Sequence, residues 1–378
     1  MSEPSRAPMK IAFVLDDSID RPDGVQQYVL TLGAHFTRQG HEVHYVCSDA
    51  TRTDVTVHSL ARNTAVAFNG NTLRIPLPTS RAALRDFLDR ERYDVIHVQM
   101  PHSPLFAGRI VDEARRVQAR TVRIVGTFLI LPNGRVSEIG TRVLGRVQRR
   151  NLAKFDAFCG LSPAAGEFAG EALGIEAPFI PGAVDLEAYA AATPAPRADD
   201  RLRLVVLGRL VERKGAVELV QAIAGLAPEV RARLDVRLAG KGPLRERLEQ
   251  QVAQAGLAEI VTFDGFVSEE DKPGYLSAAD IAVFPATGGE SFGIVLIEAM
   301  ASGAGVVLGG ANPGYLAVLG DRPEVSVDAI DIAAFTASLD RLIRDPALRA
   351  ELHEHQTQRV RQFDVTVVGE QIMELYGA

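Results

Sequence analysis

Phe284-Pro-Ala-Thr-Gly-Gly-Glu-Ser-Phe-Gly-Ile-Val-Leu-Ile-Glu-Ala-Met300 decides how this chain is read. An apolar strand runs into a glycine-rich loop, and the loop opens an amphipathic helix. Two carboxylates, Glu290 and Glu298, stand eight residues apart. Glu290 falls in the loop, and Glu298 is expected about two turns inside the helix. The backbone N–H groups of the loop and of the helix start make a site for a diphosphate. The carboxylates repel phosphate, so they do not serve it. They suit the hydroxyls of something attached to the diphosphate. A nucleotide sugar carries hydroxyls on both sides, on its ribose and on its hexose.

Outward from this stretch, apolar strand candidates alternate with helical patterns along all 378 residues. In the first half they are 10–15, 42–46, 95–98, 121–127 and 157–161. In the second they are 202–207, 235–239, 260–263, 281–284 and 305–308. This alternation predicts an α/β chain with parallel sheets. Val25, Tyr28, Val29, Leu32 and Phe36 follow the helical period, and Gly40 ends that helix. An Ala/Pro-rich stretch from Ala190 to Asp200 reads as a linker. The organisation expected is a first Rossmann-like domain over 1–185, a linker over 186–200 and a second Rossmann-like domain over 201–362. The two would face each other across a cleft, with ligands beyond the carboxyl ends of the strands. No short internal repeat is visible, which excludes a solenoid.

Apolar residues make up 47% of the chain and charged residues 24%, the balance of a soluble globular enzyme. The apolar run Ile11 to Leu15 is too short for a signal-peptide core, and no run approaches a membrane span. Cys47 and Cys159 lack metal-ligand spacing and read as two buried thiols in a reducing cytoplasm. The net charge of −7 is unevenly spread: residues 1–185 carry +2 and the remainder −9. The basic half clusters Arg74, Arg81, Arg85, Arg90 and Arg92, then Arg142, Arg146, Arg149, Arg150 and Lys154. Positions 142, 146, 149 and 150 fall near one helical face. Such a face is either solvated or turned to an anionic membrane. Nucleic acid is not expected as a partner, because aromatics do not interleave with the basic residues.

Further segments follow other strands. Asp16-Asp-Ser-Ile-Asp-Arg-Pro-Asp-Gly24 ends the first strand, and Gly24 would let a substrate approach the backbone. An ordinary strand-to-helix turn explains it equally well. Val206-Leu-Gly-Arg-Leu-Val-Glu-Arg-Lys-Gly215 sets Arg209, a planar fork, and Lys214, a mobile point charge, just after a strand. Two cations there would neutralise a leaving diphosphate without a metal. No Asp-x-Asp pair stands in a metal-binding context. Leu238-Ala-Gly-Lys-Gly-Pro243 is a tight turn whose Gly240 could wall a nucleotide site. In Phe263-Asp-Gly-Phe-Val-Ser-Glu-Glu-Asp-Lys272, Val267 could present backbone groups to a base edge, with Glu269 and Lys272 beside it. By itself this segment is capped-helix chemistry, with Ser268 and Asp271 as a capping box.

Together these segments resemble the retaining GT-B glycosyltransferases of family 4, and within them the phosphatidylinositol mannosyltransferases. The likeness covers nearly the whole chain. Glu290 and Glu298 form the family's E-x7-E pattern. Asp23-Gly-Val-Gln26 is similar to its Gly-Gly-Val-Gln, with Asp23 in place of a glycine. Ile180-Pro-Gly-Ala-Val-Asp185 is similar to its Pro-Asn-Gly-Val-Asp, with Asn absent. The resemblance implies that Arg209 and Lys214 hold the leaving diphosphate, near Gly208. Glu290 would bind the hexose, with the backbone of Ser291, Phe292, Gly293 and Ile294 around sugar and phosphate. Glu298 would bind the ribose, and Val267, Glu269 and Lys272 the base, guanine rather than uracil. Gly24 would lie near the donor diphosphate and the acceptor. Asp17, Asp20 and Gln26 would serve the acceptor side, and Arg74, Arg81 and Arg85 the membrane. The last helix, 363–378, would cross back onto the first domain.

One position departs from the pattern. After the strand 121–126 the family has a histidine facing the donor sugar, and this chain has Leu129. Leucine neither hydrogen-bonds a hydroxyl nor stabilises developing positive charge. His97 and His102, flanking a strand end, read as structural or acceptor-side residues. The resemblance implies a metal-independent hexosyltransferase without cofactor, moving mannose from GDP-mannose to an anionic phosphatidylinositol-type lipid at the inner membrane face. The alternatives are a UDP-sugar donor, another lipid or polyol acceptor, a weakened or inactive nucleotide-sugar-binding form, or, less in keeping with the donor loop, a two-domain epimerase.

Overall fold

The computed structural model describes residues 7–21, 23–68, 71–118, 121–129 and 148–378, with backbone only for 65–68 and 71–75. Arg142 and Arg146, and the Arg74 side chain, lie outside the described residues. The chain forms two compact units, Met1–Ala183 with Val365–Ala378, and Val184–Asp364.

The first unit is a six-stranded parallel sheet in the order β3-β2-β1-β6-β7-β8, with a separate β4-β5 hairpin. Its strands are β1 Lys10–Val14, β2 Glu42–Cys47, β3 Thr56–Ser59, β4 Asn63–Phe68, β5 Asn71–Pro76, β6 Val95–Gln99, β7 Arg123–Phe128 and β8 Ala157–Gly160. β1 and β6 are buried almost throughout, which is why they read as apolar runs rather than alternating ones. On one face Ala12, Val14, Val46, Ile96 and Val98 pack against Leu84, Phe87 and Ile110, from helices Arg81–Glu91 and Phe106–Val117. Helix Gly24–Arg38 buries Tyr28, Val29, Leu32 and Phe36, four of the five positions its period marked, and Val25 is half-buried. The final helix, Val365–Tyr376, joins this unit through His97, whose Nδ1 lies 2.8 Å from Tyr376 Oη and whose Nε2 lies 2.5 Å from Thr127 Oγ1. Cys47 and Cys159 are both free and buried.

The second unit repeats the plan in the order β11-β10-β9-β12-β13-β14. Its strands are β9 Leu202–Leu207, β10 Leu234–Ala239, β11 Val261–Gly265, β12 Ile281–Phe284, β13 Val306–Gly310 and β14 Ser326–Val327. Residues 184–200 are packed into it. Asp185 caps helix Leu186–Ala190, and Ala195 N donates to Gly274 O at 2.8 Å. All ten strands anticipated from sequence are present, two of them with the stated ends. β3, the β4-β5 hairpin and β14 were not anticipated. β3 is a half-exposed edge strand and β14 has two residues, so neither builds an apolar run. No helix among the described residues is long and apolar enough to cross a membrane.

Candidate active site

In the second unit the strand order reverses between β9 and β12, which lie side by side. Their following loops therefore leave adjacent strands, the arrangement that opens a ligand crevice in doubly wound sheets. The β9 loop carries Gly208, Arg209 and Lys214. The β12 loop carries Glu290 and ends at Gly293, the N-cap of helix Ile294–Ala301. The two loops are stitched together, with Thr287 N donating to Arg213 O at 2.9 Å. Gly215 makes this closeness possible. Its φ is 74°, and a Cβ there would lie 1.9 Å from Pro285 O. Gly240 backs the β9 loop in the same way, with φ 137° and a Cβ position 1.8 Å from Gly208 O.

Glu290 Oε1 accepts from Lys214 Nζ at 2.9 Å and from Arg213 Nη1. Arg209 is exposed beside them. Burial, helped by Arg213 and Arg209, pulls the Lys214 ammonium below the ordinary lysine range, and Glu290 opposes the shift. Lys214 and Arg213 thus meet one carboxylate in the loop before a helix start, and Arg209 acts on Lys214, a surplus of positive charge suited to a polyanion. Arg213 was not singled out from sequence; its place next to Lys214 was the available signal.

Glu298 is the fifth residue of its helix, a little over one turn in rather than two. The helix begins later than expected because Ser291 to Gly293 are still loop. Glu298 is buried, and its Oε1 accepts from Lys272 Nζ at 2.8 Å and from Tyr189 Oη at 2.9 Å. Lys272 also pairs with Glu269. Burial pulls Lys272 down, and Glu298 and Glu269 more than reverse it, so the ammonium is held above its ordinary range. Val267 is half-buried just before this cluster. Phe292 is 1% exposed and packs on Phe363, so only its backbone faces the loop. Ser268 Oγ accepts from Asp271 N at 3.1 Å, the first half of the expected capping box, and donates to Asp271 Oδ2 at 2.6 Å. Phe266, with Lys241 Nζ 5.1 Å from its ring centroid, and Tyr189 are neighbours that sequence reasoning missed. Tyr189 lay in a stretch read as linker and gave no signal.

In the first unit Gly24 is exposed at the start of its helix. Asp20 accepts from Thr51 N and Arg52 N, at 2.7 and 3.1 Å. Asp17 accepts from Ser18 N at 2.7 Å. Gln26 is buried, with its Nε2 on Ser18 O at 3.0 Å and its Oε1 without a partner among the described residues. Arg81 pairs with Glu113 at 2.6 Å and with Asp112 at 3.2 Å, and Arg85 lies 3.7 Å from Glu113. Their charge is met within the unit. Leu129 is buried, 5% exposed. His102 stacks on Phe128, and burial pushes its imidazole down to about 4.

Residues 22–188 match the family described as Glycosyltransferase Family 4, and residues 191–359 match Glycosyl transferases group 1. The phosphatidyl-myo-inositol mannosyltransferase of Mycolicibacterium smegmatis is 30% identical, over 97% of this chain and 93% of its own. A GDP-mannose-dependent alpha-(1-6)-phosphatidylinositol monomannoside mannosyltransferase of the same organism is 27% identical over 90% of each. Among solved structures, HepE of Anabaena with UDP and glucose aligns at a TM-score of 0.75 and 19% identity, covering 98% of this chain and 99% of that one. The chain therefore belongs to the family 4 glycosyltransferases, enzymes of GT-B fold.

Proposed function

We propose that this protein is a retaining mannosyltransferase that moves mannose from GDP-mannose to a phosphatidylinositol-type lipid at the cytoplasmic membrane face. The pairing of Lys214 and Arg213 with Glu290 at a helix start carries the reading. Lys214 and Arg209 bind the diphosphate, and Glu290 orients Lys214 and takes a hexose hydroxyl. Glu298, fixed by Lys272 and Tyr189, takes the ribose hydroxyls. As the anomeric C–O bond breaks, its electron pair leaves on the phosphate oxygen, where the cations stabilise it. The acceptor hydroxyl bonds to the same face of the sugar, and its proton passes to the departing phosphate. The names of the relatives, mannosyltransferases acting on phosphatidylinositol compounds, support donor and acceptor alike.

The test is GDP release on vesicles with and without phosphatidylinositol, beside calorimetric titration with GDP and UDP. Lipid-dependent release and preference for GDP are expected. Equal release without lipid, or preference for UDP, removes this donor–acceptor assignment. Leu129 supports a second reading, a chain that binds the donor and transfers slowly. Under it, Leu129→His raises turnover by about 10²-fold, the order of one transition-state contact. Brisk turnover by the unchanged chain removes it.

A further inference from the structure

The first unit holds a cluster that the proposed transfer does not use. On the neighbouring strands β1, β2 and β3, Lys10, His44 and His58 lie near the C-terminal end of helix Arg81–Glu91. The parallel register pairs Ala12 with His44 and Val46 with His58. His44 Nδ1 and His58 Nε2 face each other at 3.0 Å, and Glu91 Oε2 is 3.9 Å from His44 Nδ1. One ligand atom from each of the three residues lies within 4.8 Å of the others. Zinc ligands at about 2.1 Å in a tetrahedral shell stand about 3.4 Å apart, within the same range.

We propose that His44 Nδ1, His58 Nε2 and the Glu91 carboxylate bind a divalent transition-metal ion of the zinc type. Four further features fit. The other nitrogen of His44, Nε2, lies 3.0 Å from Glu42 Oε1, the carboxylate–histidine arrangement that orients a metal-bound imidazole. The rings are held by packing: His58 sits edge-on to Phe87 at 4.9 Å, and His44 edge-on to Tyr93 at 5.6 Å. Tyr93 Oη lies 3.0 Å from His44 Nδ1, within reach of an ion held there. Glu91 is the last residue of its helix, where the dipole disfavours a carboxylate and a cation is needed.

Lys10 supplies such a cation, 2.9 Å from both Glu91 and Glu42. When metal binds, Lys10 yields Glu91 and keeps Glu42. The metal's role is structural. Among the described residues β3 is an edge strand paired only with β2, and the ion clips it to helix Arg81–Glu91. All of these residues belong to the first unit, whereas Lys214, Glu290 and Glu298 belong to the second, so the inference stands apart from the proposed transfer.

The test uses the tag-free, full-length chain, stripped with a chelator and titrated calorimetrically with ZnCl2. One-to-one binding is expected, with a rise in melting temperature. His58→Ala and Glu91→Gln, each verified as folded by circular dichroism, should weaken it at least about tenfold. Glu91→Gln preserves shape and keeps the test valid if His58→Ala folds poorly. Absence of one-to-one binding in the unchanged chain, or unchanged affinity in a folded variant, overturns the assignment.

Discussion

Replacing Lys272 by Met isolates the buried charge pair behind the candidate ribose carboxylate. Lys272 and Glu298 are 9% and 6% exposed at their side chains and 2.8 Å apart. At an effective dielectric of about 20, two charges at that distance attract by about 6 kcal/mol, much of it offset by desolvation. Methionine keeps the apolar stem and removes the ammonium, leaving Glu298 buried without its cation. Stranding one charge of a buried pair costs about 3–5 kcal/mol. Tyr189 still donates to Glu298 at 2.9 Å, which places the expectation near the low end, about 3 kcal/mol. For a unit spanning residues 184–364 this lowers the melting temperature by about 6–12 °C. Lys272→Met/Glu298→Gln removes both charges and should be more stable than the single variant, because no ion is left stranded. Differential scanning calorimetry of the three proteins decides it. A double variant no more stable than Lys272→Met would refute the electrostatic reasoning. The raised Lys272 value adds a pH signature. The stabilisation is complete below the ordinary lysine value of 10.5 and is lost as pH rises through the higher folded value. Lys272→Met should lose less stability than the unchanged chain over that alkaline range.

Other perturbations test separate parts. Lys214→Ala or Glu290→Ala should lower kcat by about 10²-fold or more while circular dichroism stays unchanged, since the first removes leaving-group stabilisation and the second its orientation. Because Lys214 lies below the ordinary lysine range and Glu290 opposes that shift, Glu290→Gln should move the alkaline limb of the residual pH–rate profile to lower pH. Gly215→Ala combines a positive φ with a clash on Pro285 O, so about 1–3 kcal/mol of stability and most donor binding should be lost, read by urea titration and calorimetry. Burial pushes His97 down to about 3. Below pH about 6.5 the unfolded chain takes up a proton that the folded one refuses, so stability falls as pH falls. His97→Asn should flatten this loss between pH 7 and 4.5, measured by urea midpoints.

The sequence by itself determined the α/β plan and singled out the loops of the candidate site. Strands such as β1 and β12 are buried on both faces, and helix Gly24–Arg38 is buried on one. Each leaves a local apolar pattern that needs no knowledge of its neighbours. Edge strand β3 and two-residue β14 leave none. The partners of the charged groups were beyond its reach. Glu290 meets Arg213 from 77 residues away, and Glu298 meets Tyr189 from 109 away. Arg81 and Arg85 read as free basic surface until helix Phe106–Val117 brings Asp112 and Glu113 against them. His44, His58 and Glu91 converge only because β2 and β3 pair in one register beneath one helix end. Hydrophobic periodicity is written along the chain, whereas electrostatic partnership depends on sheet order and register, which place distant residues within a few ångströms.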